Sequence, residues 1–270
     1  MEIRKTGVGG SEVASVLGLS EYGSPYSVWY SKVYPEQLEQ YDNKFMKAGR
    51  FLESAVSDFF ADESGYRVIK SSANSPTIRH PEHSFALATP DRKFFARDGR
   101  GKGILECKTT QKSLDEPEMS WFVQLQWYLG VTGSKYGAIA WLERGLDFKY
   151  QEYEFDEPFW EFALESVRTF WEDYVLKKVE PNPINPEDVE RMYAKHIDGK
   201  VVTATTQIAE LHRELKLTRE AIGDLEKMKA EYTGHVQMFM LDAESVIDNG
   251  GNVLFTWKSG AKGSRRFLIK

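Results

Sequence analysis

Two carboxylates and one ammonium group stand close together in the stretch Phe85 to Gln111, FALATPDRKFFARDGRGKGILECKTTQ. They belong to Asp91, Glu106 and Lys108. Phe85 to Ala96 is rich in aromatic and apolar residues, and Gly103 to Thr109 is a second apolar run. Asp98-Gly99 and two more glycines lie between them, so the pattern predicts a β-hairpin. A turn centred on Asp98-Gly99 sets Asp91 opposite Glu106. Directly opposed side chains stand about 5 Å apart, and like charges there repel. A bare carboxylate pair is therefore poor structure but a good seat for a divalent cation. Lys108 projects from the same strand face as Glu106, while Leu105 and Cys107 project from the other face into a core. Such a face can hold Mg²⁺ against a phosphate and stabilise an attacking hydroxide. A solvated Glu–Lys pair on a surface strand carries the same letters, so the surrounding elements must decide between the two.

Those elements follow from caps and periodicity. Arg4 to Val33 reads as two short helices. Ser11 is the expected N-cap of Glu12 to Leu17, closed by Gly18, and Ser24 caps the second helix with Pro25 at its first position. A glycine-rich turn entering a helix offers N–H groups to an anion, to which Arg4 and Ser11 can add a guanidinium and a hydroxyl; an ordinary capped helix is the plain alternative. Residues 44–65 predict an amphipathic helix through Phe45, Leu52, Val56 and Phe59, stopped by Gly65, with Glu53 at the edge of its apolar face. Tyr66 to Ile69 and Thr77 to Arg79 read as short strands, and His80 and His83 flank a turn at Pro81. Residues 115–130 read as a helix that sets Gln124 and Tyr128 on one face. A Gln amide both donates and accepts, which suits a site orienting water and phosphate; a surface Gln beside a packed Tyr is the bland alternative. Tyr136 to Glu143 and Lys149 to Phe155 read as a hairpin around Arg144-Gly145, and Pro158 to Lys178 as an aromatic-rich helix.

A stiff, proline-rich segment from Glu180 to Pro186 then predicts a boundary between a domain at 1–180 and an extension at 187–270. The extension opens with a short helix at Glu187 to Ala194. A long one follows from about Thr203 to Leu241, spanning roughly 60 Å. Its seam, Ile208, Leu211, Leu215, Thr218, Ile222, Leu225, Lys229, Tyr232, Val236 and Phe239, alternates steps of three and four. Thr218, Gly223 and Lys229 weaken it, so an arm packed on something is favoured over an intact coiled coil. Asn252 to Lys258 and Arg266 to Ile269 predict a terminal hairpin. An apolar seam and a hairpin that the chemistry does not need suggest assembly: docking a partner or joining protomers, with packing on the first domain as the alternative.

Composition bounds the function. With 16 Phe, 13 Tyr and 7 Trp the chain has ample material for a core, and its single Cys excludes a disulfide framework or a four-Cys iron–sulfur cluster and suits a reducing cytoplasm. The start, MEIRKTGVGG, is not a signal peptide, and no apolar run reaches the length of a membrane span. A net charge of −6 argues against nonspecific coating of DNA, but not against an enzyme with one basic channel.

Thr89-Pro90-Asp91 followed by Glu106-Cys107-Lys108 resembles the motif of PD-(D/E)xK nucleases. The segment GVGGSEVASVLGLSEYGSPYSVWYSKV resembles the opening of YqaJ-type viral recombinases, relatives of the phage lambda exonuclease. In that family an Arg and a Ser seven residues apart bind the 5′-terminal phosphate, a spacing shared by Arg4 and Ser11, and Thr89 sits where the family has a further hydroxyl. Gly49 to Glu53 matches a family segment whose Glu lies beside the metal. Gln124 and Tyr128 match the Q-h-x-x-Y of the RecB-like branch. Thr256-Trp257-Lys258 resembles the extension of some longer YqaJ-type phage proteins.

The resemblance covers about residues 4–180. It implies a restriction-endonuclease-like α/β fold, a central mixed sheet flanked by helices, with a helical C-terminal extension ending in a small hairpin. It also implies a Mg²⁺-dependent 5′→3′ exonuclease on double-stranded DNA, supported by Mn²⁺ as well, leaving 3′ overhangs for annealing. Asp91, Glu106 and the main-chain carbonyl of Cys107 would hold metal, with Glu53 joining through water. Lys108 would orient or deprotonate the attacking water, serving as a base only if its pKa is depressed. Gln124 would complete the catalytic set, and Arg4, Ser11 and Thr89 would take the 5′-phosphate. The implied partners are double-stranded DNA ends, a single-strand annealing protein and further copies of the chain, since relatives form trimeric rings; no membrane is involved. The implied setting is the cytoplasm of a bacterial host of a phage or prophage. Two alternatives stand: a structure-specific endonuclease, which would not need Arg4 and Ser11, and a nuclease-derived binding module whose long helix carries the function.

Overall fold

The computed structural model describes residues 3–37, 43–69, 76–260 and 263–270, without the side chains of Ile3 and Arg4. The chain forms two compact units, Met1–Lys195 and His196–Lys270. Within the first, strand β1 (Val8–Gly9) leads into helix α1 (Gly10–Val16), followed by α2 (Pro25–Val33) and the long α3 (Lys44–Ser64). Strands β2 (Arg67–Ile69), β3 (Ile78–Arg79), β4 (Ala86–Ala88), β5 (Arg92–Phe95) and β6 (Lys102–Thr110) come next. Helix α4 (Met119–Thr132), strands β7 (Tyr136–Glu143) and β8 (Asp147–Glu154), helix α5 (Glu157–Thr169) and helix α6 (Pro186–Met192) complete it.

The main sheet has the order β2-β5-β6-β7-β8 and is mixed: β6 and β7 run parallel, and the other neighbours antiparallel. Helix α3 covers one face, where Val56 and Phe60 pack with Phe94, Leu105, Ala138, Ala140 and Leu142. On the other face α4 brings Val123, Leu125, Trp127 and Leu129 against Ile104, Ile139 and Trp141, joined by Val13 of α1 and Trp29 of α2. The alternation of β6 thus sends Leu105 toward α3 and Ile104 toward α4.

Several expectations change. The apolar run Phe85 to Ala96 is not one strand. β4 pairs with β1 and β3 in a small separate sheet, and β5 joins the main one. Pro90 has no N–H for a ladder, so the chain changes sheets at Thr89-Pro90-Asp91. Ser11 is not an N-cap; Gly9 is, and Ser11 lies exposed in the first turn of α1. The Glu12 carboxylate accepts from the Gly9 N–H at 2.8 Å and pairs with the nearly buried Lys32 at 2.7 Å, which fixes the helix start two residues early. The expected helix from Pro158 widens after Thr169 into a π-helical turn at Phe170–Val175. There Leu176 N–H reaches back to the Trp171 carbonyl, and the indole of Trp29 donates to the Tyr174 carbonyl at 3.1 Å.

The proline-rich segment does not end the first unit. Asp188 of α6 is buried, accepting from Ser24 Oγ at 2.5 Å and from the Ile184 N–H at 3.1 Å, so α6 belongs to that unit. The second unit consists of α7 (Thr206–Met240) and an antiparallel sheet of β9 (Ser245–Ile247), β10 (Val253–Ser259) and β11 (Arg265–Ile269). The terminal hairpin is thus joined by a third strand, too short to announce itself by alternation. Among the described residues no helix is long and apolar enough to cross a membrane.

Candidate active site

The turn at Asp98-Gly99, with Gly99 at φ +78°, sets the hairpin register: Arg92 faces Leu105, and Phe95 faces Lys102. Just beyond the end of that ladder Asp91 meets Glu106, at the middle of β6. Asp91 Oδ2 accepts the Cys107 N–H at 2.8 Å, tying the loop to the strand. On the α4 face, Lys108 Nζ donates to Glu106 Oε1 at 2.8 Å and to Gln124 Oε1 at 2.8 Å. Gln124 Nε2 donates in turn to Glu106 Oε1 at 2.5 Å and lies 3.2 Å from the Tyr128 hydroxyl. Asp91, Glu106, Lys108 and Gln124 therefore form one polar network, with Glu106 and Gln124 buried and Asp91 and Lys108 half-buried.

Its electrostatics are unbalanced. Burial holds the Asp91 carboxyl well above the ordinary carboxylate range, and the neighbouring Glu106 charge adds to this; Lys108 and the Cys107 N–H pull the other way. Burial likewise raises Glu106, against the pull of Lys108. Burial alone would lower the Lys108 pKa, but Glu106 and Asp91 more than offset it, and the net shift is upward. Glu106 Oε1 takes two donors, while the buried Oε2 has no hydrogen-bond partner among the described residues. An orphaned carboxylate oxygen beside a second buried carboxyl calls for a cation.

A divalent metal fits that donor set: Asp91, Glu106 and the Cys107 carbonyl are hard oxygen ligands. Among the described residues no three His, Cys, Asp or Glu side chains converge as a ready-made ligand group, so the main-chain oxygen and solvent would complete the shell. Glu53 approaches from α3, on the opposite face of the sheet. Its Oε1 accepts from Arg92 Nη1 at 2.5 Å, and the same nitrogen donates to the Asp91 carbonyl at 2.6 Å. Glu53 thus reaches the site through Arg92, and its charge raises both Asp91 and Glu106.

Sequence reasoning did not single out Arg92. Its position directly after Asp91, aimed at the opposite face, is a signal that could have found it. Thr89 Oγ1 lies 3.1 Å from Thr77 Oγ1 at the end of β4, and Ser11 is exposed on α1. The Arg4 side chain lies outside the described ones. His80 and His83 stack at 4.8 Å, and His80 Nδ1 accepts the N–H groups of Glu82 and His83, so the pair shapes a turn.

Helix α1 meets the network through Gly10. A Cβ there would lie 2.4 Å from Tyr128 Cε1, within the ring that backs Gln124. Gly10→Ala is therefore expected to destabilise the protein by about 1–3 kcal/mol, read from the denaturant midpoint. Gly223→Ala, at a position on α7 where nothing lies within 4 Å, should be neutral or stabilising by up to about 1 kcal/mol.

Comparison with known proteins adds three findings. Residues 1–135 match the family of the YqaJ-like viral recombinase domain. The chain is 30% identical over 267 residues to the protein YqaJ of Bacillus subtilis (strain 168), covering 94% of this chain and 81% of that one. Among solved structures, the alkaline exonuclease LHK-Exo from Laribacter hongkongensis is similar at a TM-score of 0.53 and 18% identity, over 72% of this chain and 96% of that one. Its complex with dAMP is similar at a TM-score of 0.52 and 18% identity, over 71% and 95% respectively. That likeness is one of fold.

Proposed function

The chain belongs to the YqaJ-like viral recombinase family, and from that membership we propose that it is a Mg²⁺-dependent exonuclease degrading double-stranded DNA from its 5′ ends. The observation that carries the reading is the Asp91–Glu106 pair, with the buried Glu106 Oε2 unpartnered among the described residues and Lys108 pinned between Glu106 and Gln124. The fold shared with LHK-Exo, an alkaline exonuclease whose complex with dAMP is known, supports it.

Asp91, Glu106 and the Cys107 carbonyl would hold Mg²⁺, or Mn²⁺ in its place. When bound, the metal supplies Lewis acidity toward the phosphate and lowers the pKa of water. The chain's own residues do the rest. The two carboxylates keep Lys108 an ammonium, which suits it to orient the nucleophile and stabilise the charge growing on the phosphate rather than to remove a proton. Gln124 fixes the ammonium, and Tyr128 backs Gln124. Glu53 and Arg92 position Asp91 from the α3 side. Hydrolysis adds a hydroxyl to phosphorus, breaks one phosphodiester P–O bond and delivers a proton to the leaving oxygen.

Arg4, Ser11 and Thr89 would receive the terminal 5′-phosphate. Arg4→Ala should then lower the preference for 5′-phosphorylated over 5′-hydroxyl ends at least tenfold, since a charge-assisted contact is worth roughly 1.5–3 kcal/mol. Equal discrimination by the variant and the parent would remove Arg4 from this role. The 3′ overhangs left behind would pass to a single-strand annealing protein. Incubation of linear and closed circular duplex DNA, each with Mg²⁺ and with EDTA, tests the proposal as a whole. Loss of the linear form alone, and only with metal, is expected; cutting of the circle would make the protein an endonuclease.

A further inference from the structure

Helix α7 runs for 35 residues, about 52 Å, and the apolar residues of its seam are exposed from Ile208 to Tyr232, with Val236 half-buried. Ile208, Leu211, Leu215, Ile222, Leu225 and Tyr232 are each 50% or more exposed, and Phe239 is 76% exposed. Helices in water owe most of their stability to packing of such a face, and a contiguous apolar patch marks an interaction surface. Gly223 and Gly234, the weakest helix formers in the segment, weaken the helix beside the seam but hold none of its positions.

The pattern of exceptions in the seam identifies the partner. Thr218 and Lys229 are its two polar positions. In a parallel, in-register pair each seam residue meets its own copy, so Lys229 would stack on Lys229 in an otherwise apolar interface. In an antiparallel pair, aligning Ile222 with Leu225 of the other copy brings every remaining layer into register. Leu215 then meets Tyr232, Ile208 meets Phe239 and Leu211 meets Val236. The same alignment places Thr218 against Lys229, an ammonium beside a hydroxyl instead of a second ammonium. The flanking positions agree: Arg219 falls beside Glu226 and Glu214 beside His235, each twice by symmetry, while Ala221 and Met228 widen the apolar centre. No like-charged pair arises along those flanks, whereas the parallel arrangement offers only Glu214 with Arg219.

We propose that α7 pairs antiparallel with α7 of a second copy of this chain, through the Ile222–Leu225 register. The pairing does not depend on the chemistry at Asp91. Light scattering on the full chain should give an even multiple of 31.0 kDa. Ile222→Asp, which sets a carboxylate against Leu225 of the other copy, should halve that mass and lower the helix content by circular dichroism by no more than the share of α7. Leu211→Cys and Val236→Cys chains, co-expressed and oxidised, should cross-link to each other. Neither should cross-link alone beyond the parent, whose only thiol is Cys107. Cross-linking of either variant alone indicates a parallel pair. That result, no cross-link in the mixture, a mass of one or three chains, or an unchanged mass in Ile222→Asp would each overturn the proposal.

Discussion

Lys108→Ala is expected to lower the rate of DNA cleavage by roughly 10²–10⁴-fold, the usual cost of removing one group that positions a proton or stabilises transition-state charge. The side chain makes two hydrogen bonds, to Glu106 and Gln124, and both partners keep each other after its loss. The carboxyls it leaves behind already sit above their ordinary range, so one can take up a proton instead of remaining an uncompensated charge. The fold and the affinity for DNA should therefore change little. Single-turnover cleavage of linear duplex DNA, with binding measured in Ca²⁺ and folding by circular dichroism, separates the effects. Turnover within a few-fold of the parent would remove Lys108 from the mechanism.

Asp91→Asn is expected to abolish metal-dependent cleavage to a similar extent while making the metal-free protein more stable. The Asn carbonyl can still accept the Cys107 N–H, but the charge that burial and Glu106 disfavour is gone. The sign follows from linkage. A carboxyl raised in the folded state costs nothing below its unfolded pKa, and costs progressively more as pH rises through its folded value. The advantage of Asn over Asp should thus be absent at acid pH and grow toward neutrality, at roughly 2–4 °C in thermal midpoint per kcal/mol gained. Added Mg²⁺ should raise the midpoint of the parent, since a ligand that binds only the native state stabilises it, and should leave Asp91→Asn unmoved. A variant that melts below the parent in EDTA at neutral pH, or gains equally from Mg²⁺, would contradict the charge-repulsion account.

Much of this site is legible in the sequence because it is local. Asp98-Gly99 is a turn with one natural register, and that register alone carries Asp91 to Glu106 and sets Lys108 on the same face. Gln124 and Tyr128 meet because they are four apart on a helix. What could not be read is long-range or depends on competition between local rules. Arg92 can be noticed beside Asp91, but its partner Glu53 lies 39 residues away, and nothing near Arg92 names it. Ser11 has the right chemistry for a cap, yet the Glu12–Lys32 pair and the strand at Val8–Gly9 start the helix at Gly10 instead. Phe85 to Ala96 is apolar enough for one strand, and only Pro90 hints that the chain changes sheets there. The glycine-rich turn entering α1 reads as an offer of N–H groups to an anion, whereas Gly7 and Gly10 serve close approach, Gly7 to the Phe85 carbonyl and Gly10 to the ring of Tyr128.

The central claim is that this site removes nucleotides from DNA in one direction with the help of a metal. The direct measurement uses a linear, 5′-phosphorylated duplex with one label in the 5′-terminal nucleotide and another in the 3′-terminal nucleotide of the same strand, incubated with Mg²⁺. The account predicts that the 5′ label leaves first as a mononucleotide, that the 3′ label leaves last, and that neither leaves in EDTA. Release of the 3′ label first, internal fragments carrying both labels, or release without metal would contradict it.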